Sequence, residues 1–170
     1  MIQIREKQLD AITLFRLSKA VKKAAKGIPV LLNERADIAA AAALDGVHLR
    51  ESSCPPDRLT PLTGSMLVGK SVHSPEAALE AETRRVDYLF FGPVFDTPSK
   101  RHYGTPQGLT KLRAICKCIS LPVFAIGGIT AENTPHCLSE GAYGIAALSL
   151  FSDPEKLSEL LRTFQTLLAP

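Results

Sequence analysis

A (β/α)8 barrel, the TIM barrel, without its first βα unit is the fold class this 170-residue sequence predicts, and three observations predict it. Short β-branched or aliphatic runs alternate with helical patterns from one end of the chain to the other, which makes a parallel sheet. No G-x-G-x-x-G turn follows any early strand, which argues against an open dinucleotide-binding sheet. Polar residues cluster just after the C-terminal ends of nearly all the strands, where a barrel builds its site. Seven βα units can be counted where a closed barrel has eight. Met1 falls at once at a strand, so the absent unit would be the first. No linker or composition shift divides the chain, and residues 1–170 read as one N-terminally incomplete barrel domain.

The strands are expected at Met1–Ile4, Val30–Asn33, Gly46–Leu49, Met66–Gly69, Asp87–Gly92, Pro122–Gly127 and Tyr143–Leu148. Segments such as Leu89-Phe90-Phe91 are apolar on both faces, as buried parallel strands are. Helices are expected at Gln8–Lys26, Ala36–Leu44, Pro56–Leu62, Pro75–Arg84, Leu109–Ile119, Ala131–Glu140 and Pro154–Leu168. Pro75 and Pro154 stand where a first-turn proline belongs, after Ser74 and Asp153 as caps. Gly27 and Gly141 follow the helices they terminate.

At 45% hydrophobic and 22% charged residues, the balance is that of a globular protein, not a disordered one. The longest apolar run, Ile38 to Leu44, is far short of the roughly 18–20 residues that span a bilayer. No signal-peptide pattern opens the chain, so a cytoplasmic protein is expected. A net charge of +3 suits acidic small molecules and is too weak to argue for nucleic acid. The basic series Arg16, Lys19, Lys22, Lys23 and Lys26 reads as the solvated face of a helix. The thiols of Cys54, Cys116, Cys118 and Cys137 are expected reduced and mostly buried.

Chemistry-bearing residues follow strand after strand. On an extended chain Gln3, Arg5 and Lys7 share a face, an amide and two cations that a phosphate or diphosphate would satisfy. Asn33 and Glu34 end a buried strand with oxygens suited to a hard cation such as Mg2+, though a helix cap also explains Asn33. Ser71 can bond a phosphate oxygen or a substrate nitrogen. His73 is a candidate acid or base, or else a polar loop residue before the Ser74 cap. His48, in mid-strand, reads as a satisfied core histidine. The longest loop, from Gly92 to about Gln107, carries the hydroxyls of Thr97 and Ser99 and the charge of Lys100, a diphosphate grip. Gly127-Gly128 ends the penultimate strand and, with Ser149 after the last one, forms the corner where this fold most often binds phosphate. An enzyme joining or rearranging phosphorylated small molecules follows from these residues.

Gln3-Ile-Arg-Glu-Lys7, Asn33-Glu-Arg, Gly46-Val-His-Leu49, Gly69-Lys-Ser-Val-His73, Asp87-Tyr88, Gly92-Pro-Val-Phe95, Thr97-Pro-Ser-Lys100 and Ala125-Ile-Gly-Gly-Ile129 resemble, in order and spacing, the thiamine-phosphate synthase and thiazole tautomerase family. The resemblance implies a barrel working on thiazole phosphate in thiamine biosynthesis, with Mg2+ if it is a synthase. It implies that Gln3, Arg5, Lys7, Asn33 and Lys100 hold a pyrimidine diphosphate, with Ser71 on the pyrimidine. Thr97 and Ser99 match thiazole-side contacts, and Gly128 with Ser149 the thiazole phosphate pocket. Arg5, Lys100 and His73 are the candidate catalytic residues and Glu34 the candidate metal ligand.

The chain departs from the synthase pattern in three places. Glu34 stands for an Asp, Ser53 takes the position of a second metal-binding Asp, and the first βα unit is absent. Glu51 and Asp57 lie nearby as substitutes for the missing acid. The retained diphosphate ligands favour a synthase. The alternatives are a metal-independent tautomerase using His73 and a non-catalytic thiazole-phosphate binding relative. An unclosed barrel leaves strand edges and apolar faces, so a homo-oligomer is expected.

Overall fold

The computed structural model describes residues 1–97 and 105–168. Among the described residues strands and α-helices alternate: β1 (Ile2–Ile4), α1 (Ala11–Ala24), β2 (Val30–Asn33), α2 (Ala36–Ala41), β3 (Gly46–Leu49), α3 (Pro56–Thr63), β4 (Leu67–Val72), α4 (Pro75–Glu82), β5 (Tyr88–Phe91), α5 (Gly108–Cys118), β6 (Val123–Ile126), α6 (Thr134–Ser139), β7 (Gly144–Ala146) and α7 (Pro154–Leu167). Strand order follows chain order, and the pairings are parallel. The fold is of the (β/α)-barrel class, present here as seven βα units. Two compact units contain it: Met1–Ser71 with Glu80–Asp87, and Val72–Leu79 with the chain from Tyr88 onward.

In the first unit the register separates two faces. Ile4 pairs with Leu32, Leu32 with Val47 and Val47 with Val68, and this face meets the helices. Val30, Leu32 and Ile4 pack there against Leu14 of α1 and Ile38 and Ala39 of α2. Burying a side chain of this size contributes about 1.5–3 kcal/mol. The opposite face carries Gln3, Leu31, Asn33 and His48 and leaves polar groups for chemistry. Two helix-to-strand turns, before β3 and before β5, are tied by an aspartate. Asp45 Oδ2 accepts from the Val30 amide at 2.7 Å, while the Asp45 amide donates to the Val30 carbonyl. Asp87 repeats this on Val68, with its Oδ2 2.7 Å from the amide. Lys22 Nζ closes on both Asp45 oxygens at 2.5 and 2.6 Å, so this one residue of the basic face is an internal ion pair.

In the second unit β5 pairs with β6 and β6 with β7, and Tyr88, Phe90 and Phe124 stack their rings at centroid distances of 5.3–6.0 Å. The predicted caps form: Ser74 Oγ accepts from the Ala77 amide at 3.1 Å, and Asp153 Oδ1 from the Glu155 amide at 3.0 Å.

The element boundaries correct the sequence reading at several ends, and the end of β1 at Ile4 corrects the expected face. α1 begins at Ala11 because Asp10 accepts from the amides of Ile12 and Thr13 and caps the helix there. β4 runs on to Val72, since Lys70 continues the ladder opposite Leu49 despite its charge. β1 stops at Ile4, so of Gln3, Arg5 and Lys7 only Gln3 lies on the strand. α6 begins at Thr134, because Thr130 and Asn133 first close a turn on each other through their side chains.

Candidate active site

Asn33 is not a helix cap. α2 takes Arg35 as its N-cap residue, with no side-chain cap bond, and the Asn33 side chain points across the sheet instead. Its Oδ1 accepts from Gln3 Nε2 at 3.1 Å, and the two half-buried amides fix each other at the C-terminal ends of β1 and β2. One strand further on, His48 lies opposite Asn33 in the register. It is buried, with Nε2 3.0 Å from the Ser71 hydroxyl. Burial pulls the imidazole down to about 4 against an upward push from the Glu34 carboxylate, and the Arg5 guanidinium adds a smaller downward pull. His48 is therefore neutral at pH 7, able to accept from Ser71 or donate to it according to its tautomer. His48 is thus the satisfied core histidine expected, and its partner also makes it the support of a candidate substrate contact.

Glu34 follows directly. Its backbone is left-handed, φ +70°, an uncommon state for a residue with a Cβ. That turn lets the Glu34 amide donate to the His48 carbonyl at 2.9 Å and carries the carboxylate over the end of β3. Oε2 accepts from Arg50 Nε at 2.9 Å and Nη2 at 2.7 Å. Oε1 accepts from the Arg50 amide at 2.8 Å and from the Ser53 hydroxyl. Partial burial pushes this carboxyl up, but the hydrogen bonds from Arg50 and Ser53 outweigh it and hold it below the usual carboxylate range.

Four donors fill the roughly four lone-pair sites of a carboxylate, so Glu34 in this arrangement has no oxygen to give Mg2+. The two nearby acids do not make up the difference. Asp57 faces Arg84, with Oδ1 3.3 Å from Nη1, and Glu51 is exposed. Among the described residues no three His, Cys, Asp or Glu side chains gather as a metal cluster. The expected metal ligand is thus an ion-pair partner, and Ser53, at the position of the missing acid, is one of its donors.

Arg5 and Lys7 are exposed beyond the end of β1, and the charge of Arg5 is felt at His48. The first unit therefore brings together Gln3, Asn33, Glu34 and Ser71 of the predicted set, with Arg5 near. Sequence reasoning missed the roles of His48, Arg50 and Ser53. Their partners lie 16 to 23 positions away along the chain, and no local pattern announces them.

The second unit holds His73, exposed after β4, and half-buried Thr97. Ser99 and Lys100 lie outside the described residues. Gly128 has φ +66°, and a Cβ there would stand 2.5 Å from the Asp96 carbonyl oxygen and 2.8 Å from Phe95 Cβ. The Val94 and Phe95 amides donate to the carbonyls of Ile126 and Gly127, which seats the loop after β5 on this glycine pair. Asn133 Nδ2 donates to the Gly128 carbonyl at 2.9 Å. Ser149 is exposed and opens a single 3-10 turn, Ser149–Phe151.

The sequence matches the family model described as thiamine monophosphate synthase over residues 1–151. A Geobacter sulfurreducens relative is 43% identical over 99% of this chain and 81% of its own length. The thiamine-phosphate synthase of Chlorobium limicola is 40% identical over 91% of this chain and 77% of its own length. Among solved structures, thiamine phosphate pyrophosphorylase from Pyrococcus furiosus matches with a TM-score of 0.87 at 29% identity, over 99% of this chain and 84% of that one.

Proposed function

Since the chain belongs to the thiamine monophosphate synthase family, we propose that it is a transferase that joins a pyrimidine, carried as its diphosphate, to a thiazole phosphate. In this reaction the bond from the pyrimidine methylene carbon to the diphosphate oxygen breaks, and its electron pair leaves with pyrophosphate. The lone pair of the thiazole nitrogen forms the new C–N bond, giving thiamine phosphate.

The observation that carries this reading is the convergence of Gln3–Asn33, His48–Ser71 and Arg5 at the C-terminal ends of parallel strands, on the face turned away from the helices. The mutually bonded amides of Gln3 and Asn33 and the Ser71 hydroxyl suit a flat, polar heterocycle. Arg5, Lys7 and Lys100 suit the charge that develops on a leaving diphosphate. Thr97, Ser99, Gly128 and Ser149 are assigned to the thiazole phosphate side. The substrates are small phosphorylated molecules, and the chain is assigned as a homo-oligomer.

Incubating the purified protein with both phosphorylated substrates, with and without Mg2+, tests the reading. Pyrophosphate release in step with thiamine phosphate formation is expected, and none at any enzyme concentration overturns it. The occupied Glu34 carboxylate favours one second reading, a metal-independent thiazole tautomerase using His73. It predicts aromatisation of the thiazole phosphate tautomer in EDTA, lost in His73→Ala. Ligand binding without either turnover would identify a non-catalytic relative.

A further inference from the structure

The Glu34 corner does more than fail to fit a metal. Arg50 follows β3 at once, so it stands at the strand end where Asn33, His48 and Ser71 converge. Its side chain is 58% exposed, while that of Glu34 is 22% exposed, so the guanidinium is the outward member of the pair. Two of the five N–H donors of a guanidinium are spent on Glu34 Oε2, and the others meet no acceptor among the described residues. The planar fork is held by two side-chain bonds and by its own backbone amide on the same carboxylate, so little freedom remains to be lost when it meets an anion.

The pair also settles an electrostatic difficulty. A bare carboxylate beside a diphosphate would repel it. Bound to Arg50, Glu34 becomes an anchor, and its charge is offset by the guanidinium that stands outward of it. Ser53 completes the clamp with a neutral hydroxyl, where an acid would have added a second negative charge and drawn Arg50 away.

We propose that Glu34 and Ser53 clamp Arg50 as a fixed donor for the diphosphate group of the substrate, so that a guanidinium occupies the corner in place of a carboxylate-bound metal. The inference rests on the transferase reading for its ligand, and its test is a binding measurement that needs no turnover.

Inorganic pyrophosphate is titrated calorimetrically into the full chain in EDTA. Binding by the wild type is expected, with at least a tenfold loss in Arg50→Gln and an intermediate loss in Arg50→Lys, which keeps the charge but not the fork. Glu34→Gln, a change in a positioning residue, is expected to weaken binding while the unfolding midpoint confirms a folded protein. In parallel, Mn2+ is followed by electron paramagnetic resonance. The wild type is expected to show no Glu34-dependent site, and Arg50→Gln with Ser53→Asp, which frees one carboxylate and adds another, is expected to gain one.

The proposal is overturned if the wild type fails to bind pyrophosphate in EDTA, or if Arg50→Gln binds it as well as the wild type. A wild-type Mn2+ site abolished by Glu34→Gln overturns it too, as does a double variant that gains no site. Pyrophosphate bound through Arg50 without thiamine phosphate formation would leave this inference standing and remove the transferase reading. Turnover through a Glu34-held metal would do the reverse.

Discussion

Gly128 shows how one position can be legible for one reason and required for another. The Gly-Gly pair was legible as a close approach of backbone to a ligand. In the structure the approach is also to the chain's own loop, because Asp96 and Phe95 occupy the space a Cβ would need. A carbonyl oxygen at 2.5 Å cannot turn aside as a side chain can. Gly128→Ala is therefore expected to destabilise the protein by about 1–3 kcal/mol in urea unfolding. Gly27→Ala, at φ +91° but with open space around it, is expected to cost less. Equal midpoints for the two variants would contradict this account. Glu34 was singled out for its oxygens, yet its partners decide its chemistry. Asp37, one turn on, pairs with Arg35 at 2.7 Å and stays outside the polar set.

Two of the helix-to-strand turns add side-chain tethers to the strand ladders. Asp45 and Asp87 do the same work in alternate repeats, each receiving the amide of the preceding strand. The third equivalent turn, before β7, keeps the backbone bond from Tyr143 to Val123 but carries an aromatic ring in place of the carboxylate. Asp45→Ala leaves the fully buried Val30 amide without its side-chain acceptor and breaks the Lys22 ion pair. A loss of about 1–3 kcal/mol is expected, read from the denaturant midpoint. Asp45→Asn keeps an acceptor for Val30 and is expected to lose less. If the two variants lose equally, the amide bond is not what the aspartate supplies. These tethers were not legible beforehand, because a repeated aspartate before a strand looks like any exposed turn residue. Helices were legible from their apolar stripes and caps, whereas β4 was cut short because Lys70 and Ser71 interrupt an apolar run that the ladder itself continues.

For the molecule as a whole, acid is the condition that exposes its weak point. His48 has its folded value lowered to about 4 from an ordinary 6.5, so the unfolded chain binds a proton that the buried ring refuses. Its contribution is intact above pH 6.5 and is lost as pH falls toward 4, about 3 kcal/mol across that window. Below it, protonation of Glu34 and Asp45, both held under the usual carboxylate range, removes further stability. Unfolding midpoints between pH 7 and 4 should fall in the wild type and flatten in His48→Gln; parallel curves would exclude His48 as the cause.

The seven-fold βα repeat, the strand and helix positions and the polar residues after the strands were determined by the sequence alone. Periodicity and capping act over a few residues, and a reader of the chain sees them directly. Only the tertiary structure decided that Asn33 turns to Gln3, that His48 holds Ser71, and that Arg50 and Ser53 claim the carboxylate of Glu34. Parallel strands bring residues together across a helical crossover. The partner of a polar group is then set by register and by a left-handed turn at its strand end, which no spacing along the chain encodes.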